Sequence, residues 1–584
     1  MSRKSNYDRE PVIRVNRLDS EAWAGYGAII NELKKHIAAS GKSKTVLCID
    51  CYPGVYDDEI LEAVTKGLNP VLIIKAGEAN LDYNRVWKMI ERNVTEDPVF
   101  GVLSCHRIEE FFDQAMLKSL KQRVDAVEEG CVLVYGTGAS LVCEPDILVY
   151  ADMARWEIQL RMRRGEIGNW CADNREEKFS AKYKRAFFVD WRVIDRHKAG
   201  LFERIDYLLD TNHKENPRMI TGNAMLEGLK QAAAQPFRLV PFFDPGPWGG
   251  QWMKEVCGLE KDAVNYAWCF DCVPEENSLY LLYGEVRVEI PAIDLVFREP
   301  VGLLGDRVHA RFGTEFPIRF DFLDTMDGGN LSLQVHPLTE YIQQNFGMHY
   351  TQDESYYLLD AAEDASVYLG LKENADRGAM LEELEQSQQG KSFDVGKYVN
   401  VWPAKKHDHF LIPGGTIHCS GSNSMVLEIS ATPYIFTFKL WDWGRMGMDG
   451  RPRPIHLKHG WKNIQWHRDT EWTSENLVNR VEKLAEGDGW TEEKTGLHER
   501  EFIETRRHWF TKAVLHDTEG RVNVLNLVEG EEAVIESPAG KFKPFVVHYA
   551  ETFVIPAAVG EYTIRPYGAD AEKMHATVKA YVRL

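Results

Sequence analysis

Near residue 236 the chain changes texture, and that change limits what a single fold can do with its 584 residues. Before it, buried-strand runs alternate with helical spacing. Lys44-Thr45-Val46-Leu47-Cys48-Ile49-Asp50 is followed by the helix-like Asp58-Glu59-Ile60-Leu61-Glu62-Ala63-Val64, then by Val71-Leu72-Ile73-Ile74, entered through Asn69-Pro70. Further strands are expected at Cys131–Gly138 and Ile147–Tyr150. Apolar runs separated by helices predict a parallel sheet covered on both faces, so residues 1–235 read as an α/β domain. After the change, proline, glycine and aromatics become frequent, strands shorten, and Gly-Glu or Asp-Gly turns punctuate them, as in jelly rolls. A chain this long exceeds one ordinary core, so several domains are expected.

Within the second texture, three strand-like runs carry residues with metal-ligand chemistry. Gln334 and His336 lie two apart in Leu331-Ser332-Leu333-Gln334-Val335-His336-Pro337, so both side chains leave one face of a strand. Glu354 opens the run Glu354-Ser355-Tyr356-Tyr357, and His418 follows the turn Pro413-Gly414-Gly415. Two imidazoles, a carboxylate and an amide oxygen make a three- or four-ligand shell for one divalent ion, with zinc the first choice for mixed nitrogen and oxygen ligation. Each residue alone has a plainer reading as a loop, solvent-facing or edge-strand residue. His407 and His409, in Lys405-Lys406-His407-Asp408-His409, read as a polar turn before a strand, and Cys419 as pocket wall.

These segments resemble the catalytic cupin of class I mannose-6-phosphate isomerases. The resemblance runs from Pro247-Trp248-Gly249-Gly250 through Leu303-Leu304-Gly305, Phe316-Pro317, Leu331–Pro337, Glu354 and Phe410–His418. It ends in Leu440-Trp441-Asp442-Trp443-Gly444-Arg445 and Asp449-Gly450-Arg451-Pro452-Arg453, keeping family order over about residues 240–470. It implies a metal-dependent aldose–ketose isomerase that interconverts mannose 6-phosphate and fructose 6-phosphate, or a related sugar, through a cis-enediol. The alternative is a metal-binding, carbohydrate-sensing or regulatory cupin without turnover. By the same resemblance Gln334, His336, Glu354 and His418 bind the metal, Glu428 is the candidate general base, and Lys439 falls near the family's catalytic arginine. Ser332, Trp248 and Arg445 become substrate-binding candidates. The chain departs from the family at Gln352 and Asp321, where relatives carry lysine, and at Ile435, near a missing aspartate. Those departures remove positive charge expected to hold a phosphate.

The implied organisation is an α/β domain over 1–235, a catalytic cupin over 236–473 with a helical insert at Leu381–Gln389, a helical linker over 474–504 and a second, non-catalytic cupin-like domain over 505–584. The second cupin is expected because Glu551-Thr552-Phe553-Val554-Ile555-Pro556 echoes His409-Phe410-Leu411-Ile412-Pro413. The N-terminal domain faintly resembles a degenerate P-loop kinase. Its loop Asp50–Asp58 lacks a Gly-Lys-Ser/Thr ending and is acidic, so phosphoryl transfer is not expected. The basic run Asp152–Arg164 reads as a helix with a solvated basic face.

A net charge of −20 opposes nucleic acid and anionic membranes as partners; the resemblance implies a small-molecule sugar or sugar phosphate instead. No apolar stretch approaches a membrane span, and Met1–Tyr7 has no apolar signal core, so a cytoplasmic location is expected. The ten cysteines include the pairs Cys48/Cys51 and Cys269/Cys272, whose separation favours buried free thiols over a zinc ribbon.

Overall fold

A computed structural model describes residues 5–431, 435–447, 450–496, 498 and 501–584. It divides into two compact units. One is built from the described residues up to Pro11 together with Ala233–Val273 and Pro300–Leu584, the other from Val12–Ala232 and Pro274–Glu299. The contiguous boundary expected at 235 is therefore interrupted. The hairpin Ser278–Tyr283/Val286–Pro291 pairs with Val12–Arg14 rather than with a jelly-roll sheet. Glu289 explains why: it is buried and accepts from Trp156 Nε1 at 2.9 Å and from Ser278 Oγ at 2.6 Å. Asp294 adds a buried ion pair to Lys198 at 2.6 Å.

In the α/β unit a seven-stranded sheet runs, in spatial order, Leu72–Lys75, Gly130–Gly136, Lys44–Cys51, Ile147–Asp152, Tyr207–Asp210, Arg218–Thr221, Ala22–Ala24. Its first five strands are parallel, and Val46–Ile49, Val132–Val134 and Leu148–Val149 are fully buried, as two helix-covered faces require. Asp50, at the end of the central strand, accepts from Gly138 N at 2.9 Å, Ser140 N at 3.1 Å and Ser140 Oγ at 2.6 Å. The helix Arg155–Arg163 corrects the expectation of a solvated basic face. Arg161 is fully buried and donates to Glu157 Oε1, Gly54 O and Thr211 O, while Arg155 pairs with Asp195 at 2.8 Å. Its guanidinium fork satisfies carbonyls that the strand ends leave open, which a lysine-like point charge could not do. Only Arg163 and Arg164 of this run face solvent.

In the other unit two jelly rolls follow one another. The first pairs a six-stranded sheet, containing Glu354–Ala361, Ser424–Ala431 and Ile318–Asp324, with a five-stranded sheet containing Leu333–Val335, His418–Ser420 and Phe438–Trp441. The helical insert is present as Arg377–Ser387. The second jelly roll packs Phe510, Leu525, Leu527, Val547, Phe553 and Ile564 between its own sheets. Its outer hairpin, Glu482–Gly487 and Trp490–Gly496, replaces the middle of the helical linker expected over 474–504. The polar, Glu/Lys-rich composition suggested a helix, but Gly489 turns back at φ +80° and the second arm pairs with Ile503–Phe510. Tertiary pairing overrode local propensity. Among the described residues no helix is long and apolar enough to cross a membrane, and all ten cysteines are free thiols.

His409 is not a turn residue: it starts the strand His409–Ile412 and is completely buried. Burial, reinforced by Arg507, pulls its pKa down to about 3. The folded chain thus keeps His409 neutral, whereas the unfolded chain protonates it below about 6.5. Its contribution is complete above that pH and declines between about 6.5 and 3, at up to ~1.4 kcal/mol per pH unit. Thermal melts at pH 7 and pH 5 should therefore show a smaller acid-induced drop in Tm for His409→Leu than for the native chain. Equal drops would contradict this assignment.

Candidate metal centre

The expected ligands converge between the two sheets of the first jelly roll. Gln334 lies opposite His418 in the antiparallel ladder, so their side chains share the inward face. Pro337 ends the Gln334 strand and leaves His336 at its tip. The turn that delivers His418 needs both of its glycines. A Cβ on Gly414 would meet Pro337 O at 2.7 Å; one on Gly415, at φ +86°, would meet Asn463 O at 2.7 Å. The turn is pinned by Gly414 N to Asp353 Oδ1 at 2.7 Å and by Gly415 N to His336 O at 2.9 Å. Each ligand-bearing segment thus fixes another.

His336, Glu354 and His418 place one ligand atom each within 4.8 Å of the others, and all three are buried. His336 Nε2 lies 3.0 Å from Glu354 Oε2, and His418 Nε2 lies 2.9 Å from Glu354 Oε1. Each imidazole is committed at its other nitrogen: His336 Nδ1 faces Phe436 O at 3.1 Å, and His418 Nδ1 faces Thr416 O at 2.9 Å. Only Nδ1–H can donate to a carbonyl, so the Nε2 lone pairs point at the carboxylate. Lone pairs facing carboxylate oxygens cannot hydrogen-bond, and His336 Nε2 and Glu354 Oε1 indeed have no hydrogen-bond partner among the described residues. Two imidazole lone pairs turned on one buried carboxylate call for a cation or protons at their centre. Gln334 Nε2 stands 3.2 Å from His418 Nε2, and Ser332 Oγ donates to Gln334 Oε1 at 3.2 Å. A half-turn of that amide would direct its oxygen to the cluster and its NH2 to Ser332. The donor set fits a divalent ion with two nitrogen and two oxygen ligands.

Burial works to raise the Glu354 carboxyl; with protons rather than a metal ion at the centre, the two imidazoles are charged, outweigh burial and hold the group well below the usual carboxylate range. Glu428, on the neighbouring strand, shows the opposite balance. Burial, with Asp321 and Glu354 nearby, pushes it well above that range despite Arg319. Arg319 Nη2 lies 2.8 Å from Asp321 Oδ2 and 3.2 Å from Glu428 Oε1. Gln352 Nε2 donates to Glu354 Oε2 at 3.0 Å and approaches Glu428 Oε1 at 3.4 Å. The two departures from the family pattern, Asp321 and Gln352, therefore belong to a closed network around Glu428.

Lys439 lies opposite Gln334, on the side away from His418, so it also enters the inward face. Asp442 gathers it at 3.2 Å with Arg445 at 2.9 Å and Arg453 at 3.0 Å. Burial lowers the Lys439 ammonium, with Asp442 opposing. Trp248 sits elsewhere in the wall. It packs edge-on against Trp268 at 4.7 Å, and among the described residues none of its ring contacts reaches the ligands. Asp449 of the motif lies outside the described residues. Sequence reasoning gave no role to Tyr356 or Arg453. Tyr356 is fully buried, its ring is 5.8 Å from that of His418, and its hydroxyl has no partner among the described residues. Its period-two offset from Glu354 was the available signal.

We expect His336→Ala and His418→Ala each to reduce bound metal, measured by inductively coupled plasma mass spectrometry, from near one ion per chain to a small fraction. Circular dichroism should remain near native. Full occupancy in both variants would remove these residues from the centre.

Residues 25–234 match a family model described as a domain of unknown function, DUF8485. The chain is 26% identical over 227 residues to the mannose-6-phosphate isomerase of Streptococcus mutans serotype c, covering 38% of this chain and 66% of that protein. It is 31% identical over 147 residues to mannose-6-phosphate isomerase ManA of Bacillus subtilis, covering 25% and 43%. The chain thus spans just under two thirds of the length of the first of these curated relatives and less than half of the second. Among solved structures, the mannose 6-phosphate isomerase of Bacillus subtilis aligns with 17% identity and TM-score 0.48 over 60% of this chain and 100% of that one. The curated relatives bear out the resemblance to mannose-6-phosphate isomerases read from the motifs.

Proposed function

We propose that the first jelly roll is a metal-dependent aldose–ketose isomerase acting on mannose 6-phosphate or a related hexose bearing an anionic group. One observation carries this reading: two imidazole Nε2 atoms bracket both oxygens of a buried carboxylate, with each Nδ1 already committed to a backbone carbonyl. His336, Glu354, His418 and Gln334 would hold the ion. Bound there, a divalent ion would supply the electrophile that stabilises negative charge on the sugar oxygens.

Glu428 is the group suited to move the proton. Burial raises its pKa, which makes it a base strong enough to take a carbon-bound proton and an acid able to return it. Arg319, 3.2 Å from Glu428 Oε1, supports the ionised form. In the aldose-to-ketose direction Glu428 takes the proton from C2 and delivers it to C1, while a hydroxyl proton passes from O2 to O1. The intermediate is a cis-enediol. Gln352 spans Glu354 and Glu428, keeping base and ligand in fixed relation. Lys439, Arg445 and Arg453 share one carboxylate, so the Asp442 cluster keeps a net positive charge of two. It supplies a place for the substrate's anion that the altered positions 321 and 352 do not.

A coupled assay over hexoses and hexose phosphates tests this reading. We expect turnover of a phosphorylated aldose to exceed that of its unphosphorylated form. Glu428→Gln should lower kcat about 10²- to 10⁴-fold while metal content stays at the native level. No turnover of any aldose by the metal-loaded native chain would contradict the proposal, as would full activity in Glu428→Gln.

A further inference from the structure

The α/β unit carries a cleft of about 500 Å³ in which the proposed isomerase chemistry has no part. It opens beyond the carboxyl ends of Lys44–Cys51 and Gly130–Gly136, between the segment Tyr52–Glu59 and the loop 166–172. Lys44–Cys51 comes first of the parallel strands in the chain, yet lies at their centre. The chain leaves it for Leu72–Lys75 on one side, returns through Gly130–Gly136, then crosses to Ile147–Asp152 on the other. In open parallel sheets this change of direction creates the crevice where ligands bind, and the volume suits a small molecule.

The charges lining the cleft narrow the ligand. Glu59 is engaged by Tyr26 and by Glu215 N through Oε1 alone, and Glu166 by Tyr56 and Arg164 through Oε2 alone. Asp57 accepts from Tyr135 at 2.9 Å through one oxygen, leaving the other open. Asp58, Arg175 and Lys214 are exposed, and among the described residues their side chains make no hydrogen bond or ion pair. Asp57, Asp58, Glu59 and Glu166 thus each keep an oxygen without a partner among the described residues, beside two cations, in one polar cleft. Carboxylates accept from hydroxyl groups, and Arg and Lys hold phosphate, so the lining matches a hydroxylated molecule with one anionic group. A nucleotide fits less well. The loop has no glycine-rich Gly-Lys-Ser/Thr cradle, and Asp50 is locked onto Gly138 and Ser140 beside it.

We propose that this cleft binds a phosphorylated sugar, as a second site separate from the metal centre. The choice of a sugar among hydroxylated phosphates rests on the isomerase reading of the other unit; the existence of the site does not. Hydrogen–deuterium exchange mass spectrometry on the metal-loaded full chain tests it, with fructose 6-phosphate, fructose, inorganic phosphate and Mg-ATP at millimolar concentration. Fructose 6-phosphate should slow exchange severalfold in peptides covering 52–59 and 166–175; fructose or phosphate alone should not. The double variant Arg175→Ala/Lys214→Ala should lose that protection and keep native isomerase activity. Absence of protection in these peptides, or its persistence in the double variant, would overturn the proposal. Equal protection by phosphate alone, or protection by Mg-ATP only, would overturn the ligand class. Peptides covering 331–337 and 414–420 report the metal centre in the same spectra, so either site can fail without the other.

Discussion

A carboxylate held between two imidazole lone pairs is the constraint around which the first jelly roll is arranged. Glu354 comes from one sheet and His336 and His418 from the other, so the cluster spans the interior and cannot form unless both sheets are in register. Without a cation, that interior would contain acceptors facing acceptors, a cost that packing alone does not relieve. The surrounding sequence serves this geometry. Pro337 ends one strand, Gly414 and Gly415 allow backbone to approach within the reach of a methyl group, and Phe436 O and Thr416 O fix both tautomers.

Electrostatic compensation extends outward from the cluster in two directions. Toward Glu428, the buried Arg319 offsets Asp321 and Glu428, and Gln352 links that network to Glu354. Burial raises Asp321 above the usual carboxylate range even with Arg319 beside it. Toward Lys439, Asp442 balances only part of the charge of three cations. One side of the site therefore carries carboxylates raised by burial, and the other an excess of cations.

The legible parts of this protein were those set by short-range pattern. Period-two spacing placed Gln334 with His336, and the Pro-Gly-Gly turn announced His418. Long-range pairing was not legible. Ser278–Pro291 looks like any jelly-roll hairpin until Glu289 and Asp294 find Trp156 and Lys198. The segment 482–496 has helix-favouring composition and becomes strand only because Ile503–Phe510 presents an edge. Charge runs misled for a related reason. Arg155 and Arg161 carry a solvent-like sequence signature, yet their guanidinium groups find buried acceptors contributed by distant segments. The lysines missing at 321 and 352 suggested a weakened anion site, whereas the structure builds a charge network there and gathers cations at Asp442.

X-ray absorption at the zinc edge, on the zinc-reconstituted chain, reads the central claim directly. The account predicts a light-atom shell of four nitrogen and oxygen donors at about 2.0–2.2 Å, with the outer-shell scattering of two imidazoles. It also predicts that the bound-zinc edge step falls to a small fraction of the native value in His418→Ala. A shell containing sulfur at about 2.3 Å, or one without imidazole scattering, would contradict it.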